Sequence, residues 1–165
     1  MLFVTTPPLC CTQRDMDDPP ARFEATFSRP EENHTALLAA VEQYGLERAL
    51  NQGLRFRLGV IVDELVMNSI MHGGCTGENQ TLSVSIFDQP NELVIEIIDT
   101  GLPFDPTILV SRCPEEGAQV PIGGVGLCLV RRFADWMKYT RNQDRNNLRL
   151  SLNKTKTENV CSLKK

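Results

Sequence analysis

Residues 63–73 have the sequence DELVMNSIMHG, which combines an apolar helical stripe with polar side chains at regular intervals. Glu64, Asn68 and His72 recur every four residues, so a helix places them along one face. The side chains expected to face the core are Leu65, Val66 and Ile70. A row of polar residues also fits a solvated helix surface, so this segment alone leaves both interpretations open.

Helical patterns extend around this segment. One helix is predicted over residues 54–72 and ends at the glycines that begin with Gly73. An earlier helix is predicted to begin near Pro30, with acidic residues in its first turn, and to end at Gly45. Its core-facing residues would be Leu37, Leu38, Val41 and Tyr44. A third helix is predicted over residues 125–135.

Alternating polar and apolar residues predict five strands, at 22–27, 81–87, 92–98, 136–141 and 147–152. The first would lie at an edge of the sheet. Turns at 88–91 and 142–146 join the other four into two hairpins. Together these elements predict an α+β fold, a two-layer α/β sandwich whose mixed, mostly antiparallel sheet has helices packed on one face.

The length of 165 residues fits one domain, which we place at residues 21–152. Residues 1–20 contain four prolines and an aspartate cluster, so they predict a flexible N-terminal tail. Residues 153–165 are rich in lysine and predict a fraying, basic C-terminal tail.

The net charge of −4 argues against non-specific binding to nucleic acid, which needs clustered lysine and arginine. No apolar run is long enough to span a membrane, and the N-terminus lacks the features of a secretory signal. The six cysteines show neither a CxxC pair nor zinc spacing. Reduced cysteines make a cytoplasmic location the simplest interpretation. Adjacent Cys10 and Cys11 fit either a lipid or redox site or reduced thiols on a loose tail.

Two further segments carry possible ligand chemistry. In IIDTGLPFD, residues 97–105, an apolar strand runs directly into Asp99 and Gly101. A carboxylate accepts hydrogen bonds from an amine, and glycine allows close approach of a planar ligand, although an ordinary turn has the same composition. In PIGGVGLCLV, residues 121–130, glycines precede a helix whose free N–H groups suit phosphate, although a hinge is also consistent.

In this order, the three segments resemble the boxes of the GHKL ATPase superfamily. Glu64 and Asn68 match its N-box, and Asp99 with Gly101 matches its first glycine box. The residues that match its second glycine box are Gly123, Gly124, Gly126 and Leu127. The short chain and the sequence PFDP at residues 103–106 are similar to the branch of anti-sigma-factor serine kinases. The resemblance covers about residues 21–152.

The resemblance implies ATP and Mg²⁺ as cofactors and assigns a role to each matched position. Asn68 would ligate Mg²⁺ through its side-chain oxygen. Glu64 would be the general base for an attacking serine hydroxyl or water. Asp99 would accept a hydrogen bond from the adenine amine, and Gly101 would let the base lie close. His72 would either support the phosphates indirectly, through residues that touch them, or cap the helix C-terminus, where its cation meets the negative end of the dipole.

Residues 105–122 would form a lid over the triphosphate, hinged by Gly123, Gly124 and Gly126. Arg112 in this lid would reach the γ-phosphate or simply face solvent. Pro103 stands where many relatives have a second glycine, and it restricts Leu102, which predicts a stiffer start of the lid.

The function implied by the resemblance is an ATP-dependent serine protein kinase. It would bind a sigma factor, phosphorylate a small anti-sigma-factor antagonist and act as a homodimer. The alternative is a non-catalytic module that binds ATP and sequesters a partner. A detached catalytic domain of a histidine kinase ranks last, because no phosphoacceptor helix precedes the N-box.

Overall fold

The computed structural model of the chain describes residues 3–5, 22–75, 80–108 and 125–156. Its strands are β1 (Phe3–Thr5), β2 (Arg22–Ser28), β3 (Thr81–Asp88), β4 (Glu92–Asp99), β5 (Trp136–Asn142) and β6 (Arg145–Asn153). Its helices are α1 (Pro30–Glu47), α2 (Gln52–Met71) and α3 (Val125–Phe133). No helix in these ranges has the length and apolar character needed to cross a membrane.

The six strands form one sheet in the order β1-β2-β3-β4-β6-β5, and each described pair is antiparallel. The register aligns alternate apolar residues across neighbouring strands, so that they share one face. One such row is Ala25, Val84, Ile97 and Leu148. All members of this row are buried, so this face of the sheet forms one side of the hydrophobic core.

The helices cover that apolar face. Leu37 and Val41 of α1 and Ile61 of α2 are buried among the residues of the sheet. α3 packs on α2, where Phe133 meets Phe56 edge-on with ring centroids 6.2 Å apart. The predicted α+β sandwich with helices on one face is therefore confirmed.

α1 does not end at Gly45 but continues to Glu47. A Cβ atom at Gly45 would lie 2.9 Å from the aliphatic carbons of Arg55, a residue of α2. The glycine therefore serves close packing between the two helices and does not end the first one. The sequence shows that residue 45 has no side chain, but it does not show that Arg55 occupies the space beside it.

The ends of α2 follow from its capping groups. The side chain of Asn51 accepts a hydrogen bond of 2.9 Å from the backbone of Leu54, so the helix begins at Gln52. At the other end, the N–H groups of His72 and Gly73 both bond to the carbonyl of Asn68. His72 is thus the C-cap residue of α2 by its backbone, and the two roles predicted for its side chain stay predictions.

The N-terminal prediction is wrong at Phe3–Thr5, which forms β1 and pairs with β2. β2 is therefore an inner strand and not the edge. The backbone of β1 pairs with groups of β2 that would otherwise lie at an open edge of the sheet. The prolines and aspartates of residues 1–20 dominate the composition, so a strand of three residues is not predicted there. The rest of the predicted tail lies outside the described residues.

The C-terminal boundary is also later than predicted. β6 continues to Asn153, and the backbone N–H of Lys154 donates to the carbonyl of Asn91 at 2.9 Å. The ammonium of Lys154 is paired with Asp88, and that of Lys156 lies 3.2 Å from Asp135. Residues 153–156 therefore belong to the domain, because buried or partly buried carboxylates hold their lysines.

Candidate functional site

α2 carries the polar row that the sequence singled out. Glu64 and Asn68 are partly exposed, whereas Ser69 is buried. The side-chain amide of Asn68 donates a hydrogen bond of 2.6 Å to the backbone carbonyl of Glu64. Because Nδ2 makes this bond, the carbonyl oxygen Oδ1 of Asn68 is directed away from it and remains an acceptor.

The carboxylate of Glu64 lies against the first turn of α3. A Cβ atom built on Gly126 would come within 1.7 Å of Oε2 of Glu64. Only a residue without a side chain allows this approach. The structure therefore brings Gly126 together with Glu64, although they are 62 positions apart in the sequence. Leu127, the next residue, is partly buried and packs on the core.

Glu64 lies in an environment that favours its neutral form. Its pKa is raised first by partial burial and second by the charge of Asp63. Asp63 in turn has Oδ1 2.8 Å from Nε2 of His34 on α1. A carboxyl group with a raised pKa is suited to proton transfer near neutral pH.

Asp99 ends β4 and is only 6% exposed. Its Oδ2 accepts a hydrogen bond of 2.9 Å from the hydroxyl of Ser69. Its Oδ1 accepts bonds from the backbone N–H of Gly101, at 2.8 Å, and from the amide of Asn146, at 2.7 Å. Helix α2 and strand β6 therefore hold the carboxylate from two sides.

Gly101 makes a close contact with the end of α2. A Cβ atom there would lie 2.5 Å from the carbonyl oxygen of Gly73 and 3.0 Å from Oδ1 of Asp99. The following N–H, of Leu102, donates to that carbonyl at 2.7 Å. The contact that requires glycine in the described structure is thus with backbone, and its approach to adenine stays a prediction.

A pocket opens between α2 and strands β4 to β6, with Asp99 at its polar end. Its lining residues are Leu65, Ser69, Ile97, Asp99, Phe104, Pro106, Tyr139, Asn146 and Leu148. At its rim the ring of Phe104 stacks on that of His72, with centroids 5.7 Å apart and planes 17° apart. Apolar walls beside one fixed carboxylate are the lining that a flat heterocycle with a donor on its edge requires, but the cavity of about 20 Å³ is too small to hold one unless its walls move.

Arg112, Gly123 and Gly124 lie outside the described residues, as does most of the predicted lid, residues 109–122. Their roles therefore stay predictions. The other site residues are described. Glu64 and Asn68 lie on α2, and Gly126 lies beside α2 at the start of α3. Asp99 and Gly101 lie near the C-terminal end of α2.

Sequence reasoning missed the polar residues that hold Asp99. Ser69 follows Asn68 directly and interrupts the apolar stripe of α2, which is a signal that could have been used. The sequence pattern predicts Asn146 in the turn between two strands. The turn is in fact shorter, Gln143 adopts a positive φ of 53°, and Asn146 is already within β6.

Residues 27–152 match the family of histidine kinase-like ATPase domains. The chain belongs to this family. It is also 28% identical over 121 residues to the serine/threonine-protein kinase BtrW of Bordetella bronchiseptica, covering 71% of this chain and 83% of that protein. This membership and the distant relative support a kinase-like, ATP-binding role.

Solved structures of the nucleotide-free catalytic domain of histidine kinase ThkA are also similar. Two of them show 17% identity to this kinase-like ATPase domain, with TM-scores of 0.43 and 0.45. They cover 78% of this chain, and 95% and 94% of their own chains, respectively.

The side chains of the kinase-like domain fit a magnesium–nucleotide complex. The described ranges contain no group of three or more histidine, cysteine, aspartate or glutamate residues arranged to hold a metal. Mg²⁺ bound with nucleotide needs only one or two protein ligands, since phosphates and water complete its shell. Oδ1 of Asn68, left free of the helix backbone, is an oxygen of the required kind.

Proposed function

We propose that this protein is an ATP-dependent serine protein kinase that acts as an anti-sigma regulatory factor. The observation that carries the proposal is the order of groups along α2. Glu64 lies beside Gly126, Asn68 follows one turn later, and Ser69 bonds to Asp99. The proposed base and metal ligand thus lie on one helix, and the purine-reading carboxylate is bonded to the same helix. The three groups span about 8 Å of helix rise from Glu64 to Ser69.

Each group has a defined task in the proposed transfer. The serine oxygen of the substrate forms a bond to the γ-phosphorus of ATP, and the bond from that phosphorus to the bridging oxygen of ADP breaks. Glu64 accepts the proton of the serine hydroxyl. Asn68 holds Mg²⁺, which neutralises charge on the phosphates when it is bound. Asp99 accepts a hydrogen bond from the adenine amine.

The glycine-rich turn completes the proposed site. Backbone N–H groups at Gly123, Gly124 and Gly126 would meet phosphate oxygens at the start of α3. Arg112 would add a positive charge at the γ-phosphate. These assignments rest on the family resemblance, with Gly126 also supported by its position beside Glu64.

The proposed partners are a sigma factor, which the protein would bind, and a small antagonist, which it would phosphorylate on serine. The proposed setting is the cytoplasm, and the proposed assembly is a homodimer. The name of the relative BtrW supports serine/threonine kinase activity. The partners themselves come from the resemblance to anti-sigma-factor kinases.

Binding is tested first, by thermal unfolding with and without Mg-ATP. A ligand that binds only the folded state raises its stability, so the transition should move to higher temperature. Asp99→Asn replaces one acceptor oxygen by an amide and should abolish this shift. A full shift in that variant would contradict adenine recognition by Asp99.

Transfer is tested with labelled ATP and a candidate antagonist. We expect label on a serine of the antagonist, and we expect Glu64→Gln to remove it. Glu31→Gln is the matched control, because Glu31 is an exposed residue in the first turn of α1. Tight binding of the partner with no transfer by the wild type would instead support the non-catalytic, sequestering module.

A further inference from the structure

Asn146 lies in a cross-strand row of polar residues at the wall of the proposed nucleotide pocket. In the sheet it is the direct neighbour of Asp99 on β4 and of Arg141 on β5. It is 3% exposed, so every polar atom of its amide needs a partner within the protein. A buried carboxamide between a carboxylate and a guanidinium is the feature from which the inference starts.

The amide of Asn146 uses both of its ends. Nδ2 donates to Oδ1 of Asp99 at 2.7 Å and to the carbonyl of Leu102 at 2.8 Å. Oδ1 accepts from the hydroxyl of Tyr139 at 2.7 Å and from Arg141 at 2.5 Å. The reverse orientation would place oxygen against a carboxylate and N–H groups against a guanidinium, so the surroundings permit only this one.

This orientation determines what Asp99 can offer to a ligand. Its Oδ1 is occupied by Asn146 and the N–H of Gly101, and its Oδ2 by Ser69. A carboxylate has about four acceptor positions. One position therefore remains, on Oδ2, for an incoming donor.

Asn146 also keeps Arg141 away from the carboxylate. A guanidinium in direct contact would take both oxygens of Asp99 in a bidentate pair and leave no acceptor for a ligand. Here Arg141 bonds instead to Oδ1 of Asn146 and, at 3.1 Å, to the carbonyl of Gly101. The carboxamide is a spacer of one side chain between the two charges.

Tyr139 extends the same arrangement to the wall of the pocket. Tyr139, Asn146 and Asp99 all line this pocket. The bond from the Tyr139 hydroxyl to Asn146 fixes the ring while the amide fixes the carboxylate. Asn146 thus orients both the Tyr139 ring in the pocket wall and the Asp99 carboxylate that accepts the donor of the ligand.

We propose that Asn146 is a positioning residue that sets the purine preference of this site, selecting a purine with an exocyclic amine over one with a carbonyl group. The inference rests on the proposed nucleotide-binding function. Asn146 acts through Asp99 and Tyr139, because both ends of its amide are already engaged by groups of the protein. An amine donates to the remaining acceptor on Oδ2, whereas a carbonyl oxygen at the same place is repelled by it.

The experiment compares dissociation constants for Mg-ATP and for Mg-ITP, which has a carbonyl oxygen where ATP has the amine. Isothermal titration of the full chain gives both values. Wild type should favour ATP. In Asn146→Leu we expect affinity for ATP to fall about tenfold, since a hydrogen bond to a charged group is disrupted, while affinity for ITP falls much less.

The control is Asn147→Leu, one residue further along β6. Asn147 lies on the opposite face of the sheet and bonds to Glu96 at 3.1 Å, so the ratio of the two constants should stay at its wild-type value. If leucine at 146 prevents folding, Asn146→Asp provides the test. It keeps the shape and the acceptor for Tyr139 and places a carboxylate oxygen against Asp99, and the ratio should fall again.

Equal losses for both nucleotides, or a ratio unchanged from wild type, would overturn the role of Asn146. These outcomes differ from a failure of the proposed function. If wild type binds neither nucleotide, the nucleotide site itself is wrong; if it binds ATP and only the effect of the variants is missing, the site stands and the positioning role does not.

Discussion

The hydroxyl of Ser69 donates a hydrogen bond of 2.9 Å to Oδ2 of Asp99, and this bond joins the C-terminal turns of α2 to the end of β4. Both residues are buried, at 7% and 6% exposure. The bond therefore links the helix that carries Glu64 and Asn68 to the strand that carries the proposed purine acceptor. Movement of either element would separate the two ends of the site.

Ser69→Ala should destabilise the fold by about 1–3 kcal/mol, because a buried carboxylate loses a donor. Urea unfolding measures the change. Ser83→Ala is the control, since Ser83 lies on the face of β3 opposite the described helices. Equal losses of stability in the two variants would show that the bond to Asp99 adds nothing.

Gly126→Ala should abolish phosphate transfer, because its Cβ would lie 1.7 Å from Oε2 of Glu64 and the carboxylate must turn away from this position. The carboxylate is the far end of a flexible side chain, so it can turn with little loss of stability. Radiolabel transfer and thermal unfolding measure the two quantities. Transfer by Gly126→Ala at the wild-type rate would mean that the position of Glu64 beside Gly126 does not matter for the reaction.

Gly59→Ala is the matched control for that substitution. Gly59 lies within α2, and a Cβ atom there meets nothing within 4 Å. Alanine should stabilise the helix by about 0.5–1 kcal/mol and leave transfer unchanged. Together the two glycines separate helix propensity from contact with the base.

Local patterns predicted most of the secondary structure, because strand alternation and helical periodicity are properties of neighbouring residues. The hairpin of β3 and β4 was placed to within one residue at each end. β1 was not found, since three residues carry too little pattern and its pairing with β2 depends on a distant segment. The prediction that Gly45 ends α1 is wrong for the same reason, because this glycine is needed for close packing against Arg55 on another helix.

The candidate site divides in the same way. Glu64, Asn68 and Asp99 were identifiable because their motifs are local and match a family. Ser69 and Asn146 were not, because their bonds to Asp99 depend on how α2 and β6 lie beside β4. A register shift of one residue would turn Asn146 to the other face of the sheet.

Asp63→Asn should extend the proposed kinase activity to lower pH. Burial, and secondarily the charge of Asp63, raises the pKa of Glu64, so proton acceptance by Glu64 is lost at a higher pH than for an ordinary carboxyl group. Removing the Asp63 charge lowers that pKa, although burial still keeps it raised. The acidic limb of the rate profile should therefore move to lower pH.

The transfer rate measured across pH 4–8 tests this shift. Asp144→Asn, at an exposed position in the turn between β5 and β6, is the control and should leave the limb in place. An acidic limb that stays fixed in Asp63→Asn would remove Glu64 as the titrating base.

Stability should fall in alkaline solution because two buried groups resist losing their protons. Burial, with a smaller effect of Asp99, raises the pKa of Cys75 from 9.0 to about 11. Burial, together with the charge of Asp88, raises the pKa of Tyr44 well above its ordinary value of 10.0. In the unfolded chain both groups ionise at their ordinary values, so their contribution to stability is complete below about pH 9 and is lost as pH rises further.

Tyr44→Phe separates this effect from packing. The Tyr44 hydroxyl is buried and has no hydrogen-bond partner in the described part of the chain. Removing it should leave stability at pH 7 unchanged or raise it by about 1 kcal/mol, and should make the decline above pH 9 shallower. Tyr139→Phe should instead lower stability at pH 7, since that hydroxyl donates to Asn146 at 2.7 Å. Urea unfolding at pH 7, 9, 10 and 11 measures both; a decline as steep in Tyr44→Phe as in wild type would contradict the assignment to Tyr44.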